Sequence, residues 1–250
     1  MKKRFRPGIL AILILIFGLA CAARAEEPPE DFFRIPGSVV TFGRYEQDGN
    51  EANGPEEIEW IVLEVRDGRS LLLSLYGLDN RPYNTADKKI TWQDCSLRKW
   101  LNSDFLQAAF TPEEQARIPE TKVDNGKDQK FKRWKKVKGG KDTEDRVFLL
   151  SYMEANRYLG VSWYGEGSGK ARMELTEQAR RTGARYRTPH FEEEDGTTYW
   201  HWWLRSPGSK QDDASKVTAS GCMVTCCVSS EMAFVRPALW LNLDGNVRLN

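Results

Sequence analysis

Histidine is scarce in this chain: there are two, His190 and His201, in 250 residues. A Ser-His-Asp triad or a zinc site wants histidine beside a nucleophile or at ligand spacing. Here His190 precedes an acidic run and His201 sits in a Trp-rich segment, so both are read as packed or solvated side chains. HExxH, CxxC and GxSxG are all missing, as are the Walker and dinucleotide-binding glycine loops. Charge of one sign is missing too, with 37 basic residues against 36 acidic ones. After residue 25 no apolar run approaches the ~18–20 residues that a membrane-spanning helix needs.

The N-terminus is distinctive. Lys2, Lys3, Arg4 and Arg6 precede an apolar stretch from Ile9 to Ala20, followed by Ala23-Arg24-Ala25 and the polar run Glu26-Glu27-Pro28-Pro29-Glu30-Asp31. That order predicts a secretory signal peptide over residues 1–25, cleaved after Ala25. Cys21 leaves a second reading open, lipidation at a lipoprotein-type box, although Gly18 stands where such boxes usually carry Leu. Membrane attachment is expected only in that case. Residues 1–25 hold five basic side chains and no acid, so the mature chain has 32 basic against 36 acidic residues, a net charge of −4. Such a chain is not built as a whole to bind nucleic acid.

Residues 26–36 read as a flexible leader and 37–250 as a single domain. Residues 38–42 predict a first strand, and 58–65 with 70–75 predict a hairpin closed by Asp67-Gly68, both of which tolerate positive φ. Leu97, Trp100, Leu101, Phe105 and Leu106 recur at helical spacing, predicting a helix over 96–110 capped by Ser96 or Asp94. Thr111-Pro112-Glu113-Glu114 and Ser151-Tyr152-Met153-Glu154 carry capping-box patterns. A strand is expected at 147–150 and an amphipathic helix near 171–181. Strands are expected again at 200–205, in a hairpin of 214–219 with 222–228 about Ser220-Gly221, and at 234–241.

Lys130, Lys132, Arg133, Lys135, Lys136 and Lys138 surround Phe131 and Trp134. They suit either a patch for an anionic polymer or, as the favoured reading, a solvated loop between the turns at Asp124-Asn125-Gly126 and Gly139-Gly140. Cys95, Cys222, Cys226 and Cys227 remain after signal removal. On one strand Cys222 and Cys226 lie about 13 Å apart at ~3.3 Å per residue, too far to bridge. Buried free thiols, one disulfide from Cys95, and a thiol or metal site using Cys226, Cys227 and a histidine are the three open readings. Trp200, Trp202 and Trp203 are read mainly as packing residues. Arg205 and Arg236 are read as structural charge partners.

Several segments occur in a telling order. They are Ser38-Val39-Val40-Thr41-Phe42-Gly43-Arg44-Tyr45, Ile58-Glu59-Trp60, Tyr83-Asn84, Leu97-Arg98-Lys99-Trp100-Leu101-Asn102, Phe148-Leu149-Leu150-Ser151, Trp202-Trp203-Leu204-Arg205-Ser206-Pro207-Gly208 and Val235-Arg236-Pro237-Ala238-Leu239-Trp240. This series resembles the bacterial domain family DUF6273, of unknown function, over about residues 36–243. The resemblance implies an α+β, C-type-lectin-like fold: a loop-rich, twisted antiparallel sheet with two main helices, in the branch shared with formylglycine-generating enzymes and variable proteins. The calcium-ligand motifs of sugar-binding lectins, Glu-Pro-Asn, Gln-Pro-Asp and Trp-Asn-Asp, are missing. Related variable proteins place binding residues between the two last motifs. The outward positions expected there are Lys216, Thr218, Met223, Thr225 and Cys227.

The expectation is therefore an exported, non-catalytic recognition domain, without cofactor, for an extracellular glycan, envelope polymer or protein. The alternatives are an oxidase of the formylglycine-generating type, using late cysteines and copper, and a structural cell-envelope module.

Overall fold

A computed structural model describes residues 30–126, 129–165, 167–183 and 191–243. The expected signal peptide, Cys21 and His190 lie outside the described residues.

Fourteen strands and five short α-helices form among the described residues, an α+β arrangement. β1 (Val39–Tyr45), β2 (Glu56–Arg66), β3 (Arg69–Ser74) and β4 (Asp79–Asn80) come first. α1 (Ser96–Trp100) runs through a π-helical turn (Leu101–Phe105) into α2 (Leu106–Ala109), and α3 (Pro112–Arg117) follows. β5 (Thr121–Val123), β6 (Thr143–Asp145), β7 (Val147–Phe148) and α4 (Tyr152–Leu159) make up the middle of the chain. Then come α5 (Glu177–Thr182), β8 (Phe191–Glu192), β9 (Thr198–Tyr199) and β10 (Trp202–Pro207). β11 (Asp213–Val217), β12 (Met223–Cys227), β13 (Phe234–Val235) and β14 (Ala238–Asn242) close it.

Two five-stranded sheets carry the fold, in the orders β1-β2-β3-β14-β7 and β12-β11-β10-β13-β4. Every pairing within them is antiparallel except β10 with β13. The β2–β3 hairpin forms as expected. Asp67 and Gly68 adopt φ of 52° and 70°, the pair of positive values that lets a two-residue turn match the strand twist. Ile58, Trp60 and Val62 point into the core at alternate positions of β2.

The expected closing strand over 234–241 is two strands in different sheets. Pro237 has no N–H to donate to a ladder, so pairing stops there and the chain crosses from β13 in the second sheet to β14 in the first. Arg236 is 3% exposed and holds that crossing. Its Nε donates to the Ser74 carbonyl at 2.9 Å, and the guanidinium lies 5.1 Å from the centre of Trp202. It finds carbonyls rather than the expected charge partner, and burial pulls its pKa down to about 9.

Both faces of β10 are buried, which places Trp202 and Trp203 in the core. Their indole N–H groups donate to the carbonyls of Ala171 and Arg81 at 2.9 and 3.0 Å. One continuous core joins Trp60, Leu72 and Leu73 of the first sheet, Trp202, Trp203 and Phe234 of the second, and Leu97, Leu101 and Phe105 of the helical run.

Both capping boxes are present, at Thr111 with Glu114 and at Ser151 with Glu154. The cap of α1 is Cys95, not Ser96 or Asp94; its buried Sγ accepts from the Arg98 N–H at 3.4 Å. The helix near 171–181 is shorter than expected. Glu174 and Thr176 pair their backbones with Gly77, which holds the chain extended until Thr176 caps α5. Within the expected leader, Glu30–Arg34 is a 3-10 helix with Phe33 buried, and the Ser70 hydroxyl donates to the Phe33 carbonyl. Among the described residues no helix is long and apolar enough to cross a membrane.

Candidate functional site

The late hairpin forms, but its register divides the expected binding residues. In an antiparallel pair, residues directly opposite one another share a face. Val217 pairs with Met223, Ser215 with Thr225 and Asp213 with Cys227, while Lys216 pairs with Val224 and Ala214 with Cys226. Met223, Thr225 and Cys227 therefore share one face, and Lys216 lies on the other. Met223 is 0% and Lys216 6% exposed, so neither is outward. Thr218 and Thr225 are half-buried, and Cys227 is exposed. A one-residue slip in alignment moves every side chain of a strand to the opposite face. Here the turn sets the alignment: Thr218 N–H donates to the Cys222 carbonyl at 2.7 Å, and Cys222 N–H to the Thr218 hydroxyl at 3.1 Å.

The tip of this hairpin is welded to Ser162, Trp163, Gly167 and Ser168. Met223 N–H donates to the Ser162 carbonyl at 2.8 Å, and Trp163 bridges Met223 in parallel. Farther along, two glycines allow backbone to lie on backbone. A Cβ at Gly167 would stand 1.7 Å from the Ser220 carbonyl oxygen, and one at Gly221 2.1 Å from that of Ser168. Between these anchors the chain turns out at Tyr164, which is 64% exposed and has φ of +51°. A tyrosine in the left-handed region is strained backbone, retained only where the surroundings impose it.

Tyr164 crowns a cluster of rings. It meets Trp163 edge-on at 4.5 Å between centres, and Trp163 stacks on Phe131 at 5.2 Å with 25° between planes. Trp134 meets Trp163 at 5.0 Å and Phe131 at 5.3 Å. Phe131 and Trp134 come from the lysine-rich segment, which is the loop of the β5–β6 hairpin. Trp134 N–H donates to the Phe131 carbonyl and Val137 N–H to that of Trp134, at 3.0 and 3.2 Å. These successive three-residue turns put Phe131, Trp134 and Val137 on one side. Lys132, Arg133, Lys135 and Lys136 take the other and are exposed. The loop is solvated as expected, and it is also pinned by its aromatic residues.

Its charges differ in role. Lys130 is buried and folds back to donate to the carbonyls of Trp134 and Val137, and burial lowers its pKa. Lys132, Arg133, Lys135 and Lys136 have no ion-pair partner among the described residues. Lys135, Lys138 and Lys141 line a hollow of about 570 Å³ together with Thr91, Asn125, Gly140 and one acid, Asp94. Gln211 fixes the far wall, accepting from Lys138 N–H at 2.9 Å and donating to its carbonyl at 3.1 Å. Asp145 holds the base of the hairpin: its carboxylate accepts from Trp92 Nε1, Arg98 Nε and Thr143 Oγ1 at 2.9, 2.6 and 2.7 Å.

A second groove, of about 390 Å³, runs past Trp240, Phe148 and Tyr158. Its charges are matched. Glu64 accepts from Tyr158 and Arg157, and Arg205 forms a two-pronged pair with Glu154. Arg205 is 2% exposed and also donates to the carbonyls of Leu149 and Asp124 at 2.9 and 3.1 Å, the structural role expected of it.

All four described cysteines are free thiols. Cys95 is buried, and burial pushes its pKa up to about 12. Burial and the neighbouring Cys226 raise the Cys227 thiol, the opposite of nucleophilic activation. His201 is half-buried just before β10, and its carbonyl accepts from Phe234 N–H at 2.9 Å. Glu46, Asp48 and Glu56 are the one group of three potential metal ligands gathered among the described residues. Glu46 and Glu56 accept from amides of their own loop, at Gly49, Asn50 and Gln47.

Sequence reasoning singled out the lysine loop but missed Trp163 and Tyr164. Their one signal was an aromatic pair before a glycine-rich stretch.

No curated protein and no solved structure matches the chain. A family model does, from the turn of the first hairpin to the end of the last core strand, so β1 and β2 precede the matched region. That model is the Domain of unknown function (DUF6273), matched over residues 67–243, and the chain belongs to this family.

Proposed function

We propose that this chain is an exported, non-catalytic recognition domain with a C-type-lectin-like fold, binding a surface polymer or protein through the cluster around Tyr164. One observation carries the reading: a strained tyrosine is held out to solvent at 64% exposure between the pairing of Ser162 and Trp163 with Met223 and the glycine crossing at Gly167 and Gly221. Strain of this kind is kept where a side chain must be presented. The rigid sheet behind it supplies the scaffold from which loops do the binding. Export rests on the basic, apolar and small-residue order of residues 1–25. Attachment to a membrane would follow only from lipidation at Cys21. The oxidase reading has less support, because the Cys227 thiol is raised rather than activated.

Two experiments test the proposal. Intact mass of the protein released by a secreting host should show an N-terminus at Glu26, and retention of residues 1–25 would contradict export. A glycan and peptide array should show at least one ligand for the native protein whose signal drops with Tyr164→Ala. An array with no Tyr164-dependent ligand would contradict recognition at this site.

A further inference from the structure

We infer that the surface formed by Tyr164 and the lysine loop takes an anionic polysaccharide: one sugar ring lies against Tyr164 while acidic groups along the polymer meet the loop cations and the basic hollow. This rests on the recognition reading and gives it a ligand class. Three observations on the loop support it.

The first is the charge. Residues 130–141 hold seven basic side chains and no acid, in a mature chain whose net charge is −4. Lys130 is spent inside the loop, while Lys132, Arg133, Lys135 and Lys136 stand exposed without ion-pair partners among the described residues. Like charges gathered this closely repel one another. A ligand bearing the opposite charge relieves that repulsion and is drawn to the site.

The second is the shape. The cations are not spread over a flat face, because Lys135, Lys138 and Lys141 converge on a hollow of about 570 Å³ whose walls are pinned by Gln211 and Asn125. Lys135 follows Trp134 in the chain, so the hollow and the ring cluster are built from one loop.

The third separates a sugar from a nucleic acid. Strands of bases are held by several open aromatic faces in succession. Here Phe131 and Trp163 cover each other, with 25° between their planes, and Trp134 meets both at their edges. Tyr164 is the exposed member of the cluster, standing nearly perpendicular to Trp163. One exposed ring on a surface that also carries several cations suits a polymer of pyranose rings bearing carboxylates or phosphates.

The test is equilibrium binding of the purified chain to four probes of similar length: polygalacturonate, neutral dextran, polyphosphate and oligo(dT). The inference predicts binding to polygalacturonate that weakens steeply with salt, weaker binding to polyphosphate and oligo(dT), and none to dextran. Lys135→Glu with Lys136→Glu should weaken polygalacturonate binding by about tenfold or more, as should Tyr164→Gly. Equal or tighter binding of dextran, polyphosphate or oligo(dT), or no response to the charge reversal, would overturn it. If the array finds a Tyr164-dependent ligand that is neutral, the ligand class is wrong and the recognition reading survives. If no Tyr164-dependent ligand is found there, both fall.

Discussion

Arg205 and the lysine loop put positive charge to opposite uses. Arg205 is almost wholly enclosed, and its guanidinium is answered by a two-pronged carboxylate and two carbonyls. The loop cations at 132, 133, 135 and 136 are exposed and unanswered among the described residues. An enclosed charge must be matched or the fold pays for its desolvation. A solvated charge costs little to leave open and remains available to a partner. The contrast sorts basic residues into those that build this domain and those that equip its surface.

The largest effect should come from Arg205→Ala. It leaves the Glu154 carboxylate without its guanidinium and should cost about 3–5 kcal/mol, read by denaturant unfolding. Arg205→Lys should recover only part, because an ammonium cannot make the two-pronged pair.

Gly167→Ala should cost about 1–3 kcal/mol, since the new methyl meets the Ser220 carbonyl and must push the Tyr164 segment off the hairpin. An effect below a few tenths of a kcal/mol would show that the two segments separate freely.

Acid provides the third test. Burial alone would raise the Glu154 carboxyl, but Arg205 and Ser151 hold it below its ordinary value. A carboxyl depressed in the folded state contributes stability above its unfolded pKa of ~4.3 and loses it as pH falls through the folded value. Native stability should therefore drop across that window. Glu154→Gln should start lower and lose less over the same range.

Tyr164 inverts the usual order of substitutions. Both Tyr164→Ala and Tyr164→Gly lose the contact with Trp163, but only glycine relieves the left-handed backbone. The glycine variant should be about 1 kcal/mol more stable than the alanine variant. The reverse order would show that the strain is not real.

The smallest effect on stability should come from Lys135→Ala with Lys136→Ala, within about 0.5 kcal/mol by thermal unfolding. A larger loss would place these lysines with the builders.

The parts of the fold that were legible in the sequence were those closed by local rules. The Asp67-Gly68 turn, the helical spacing from Leu97 to Leu106 and the two capping boxes each depend on residues within a turn or two. Where the sequence misled, a distant partner decided. Gly77 holds Glu174 and Thr176 extended and shortens α5. Pro237 was visible, but not that it marks a passage between two sheets. The hairpin at 213–227 was legible as a hairpin, and its register was not, because the side-chain bonds of the 218–222 turn set the alignment. At the candidate site, the lysine loop announced its charge. Its anchoring could not be read, since Trp163 lies 29 residues beyond Trp134 and nothing local ties them.

The central claim is that the loop cations serve a ligand and not the fold. The most direct measurement is the affinity of the native chain and of Lys135→Ala with Lys136→Ala for polygalacturonate, taken alongside their unfolding midpoints. The account predicts superimposable unfolding and a clear loss of affinity in the variant. Unchanged affinity, or a loss that follows a fallen midpoint, would contradict it.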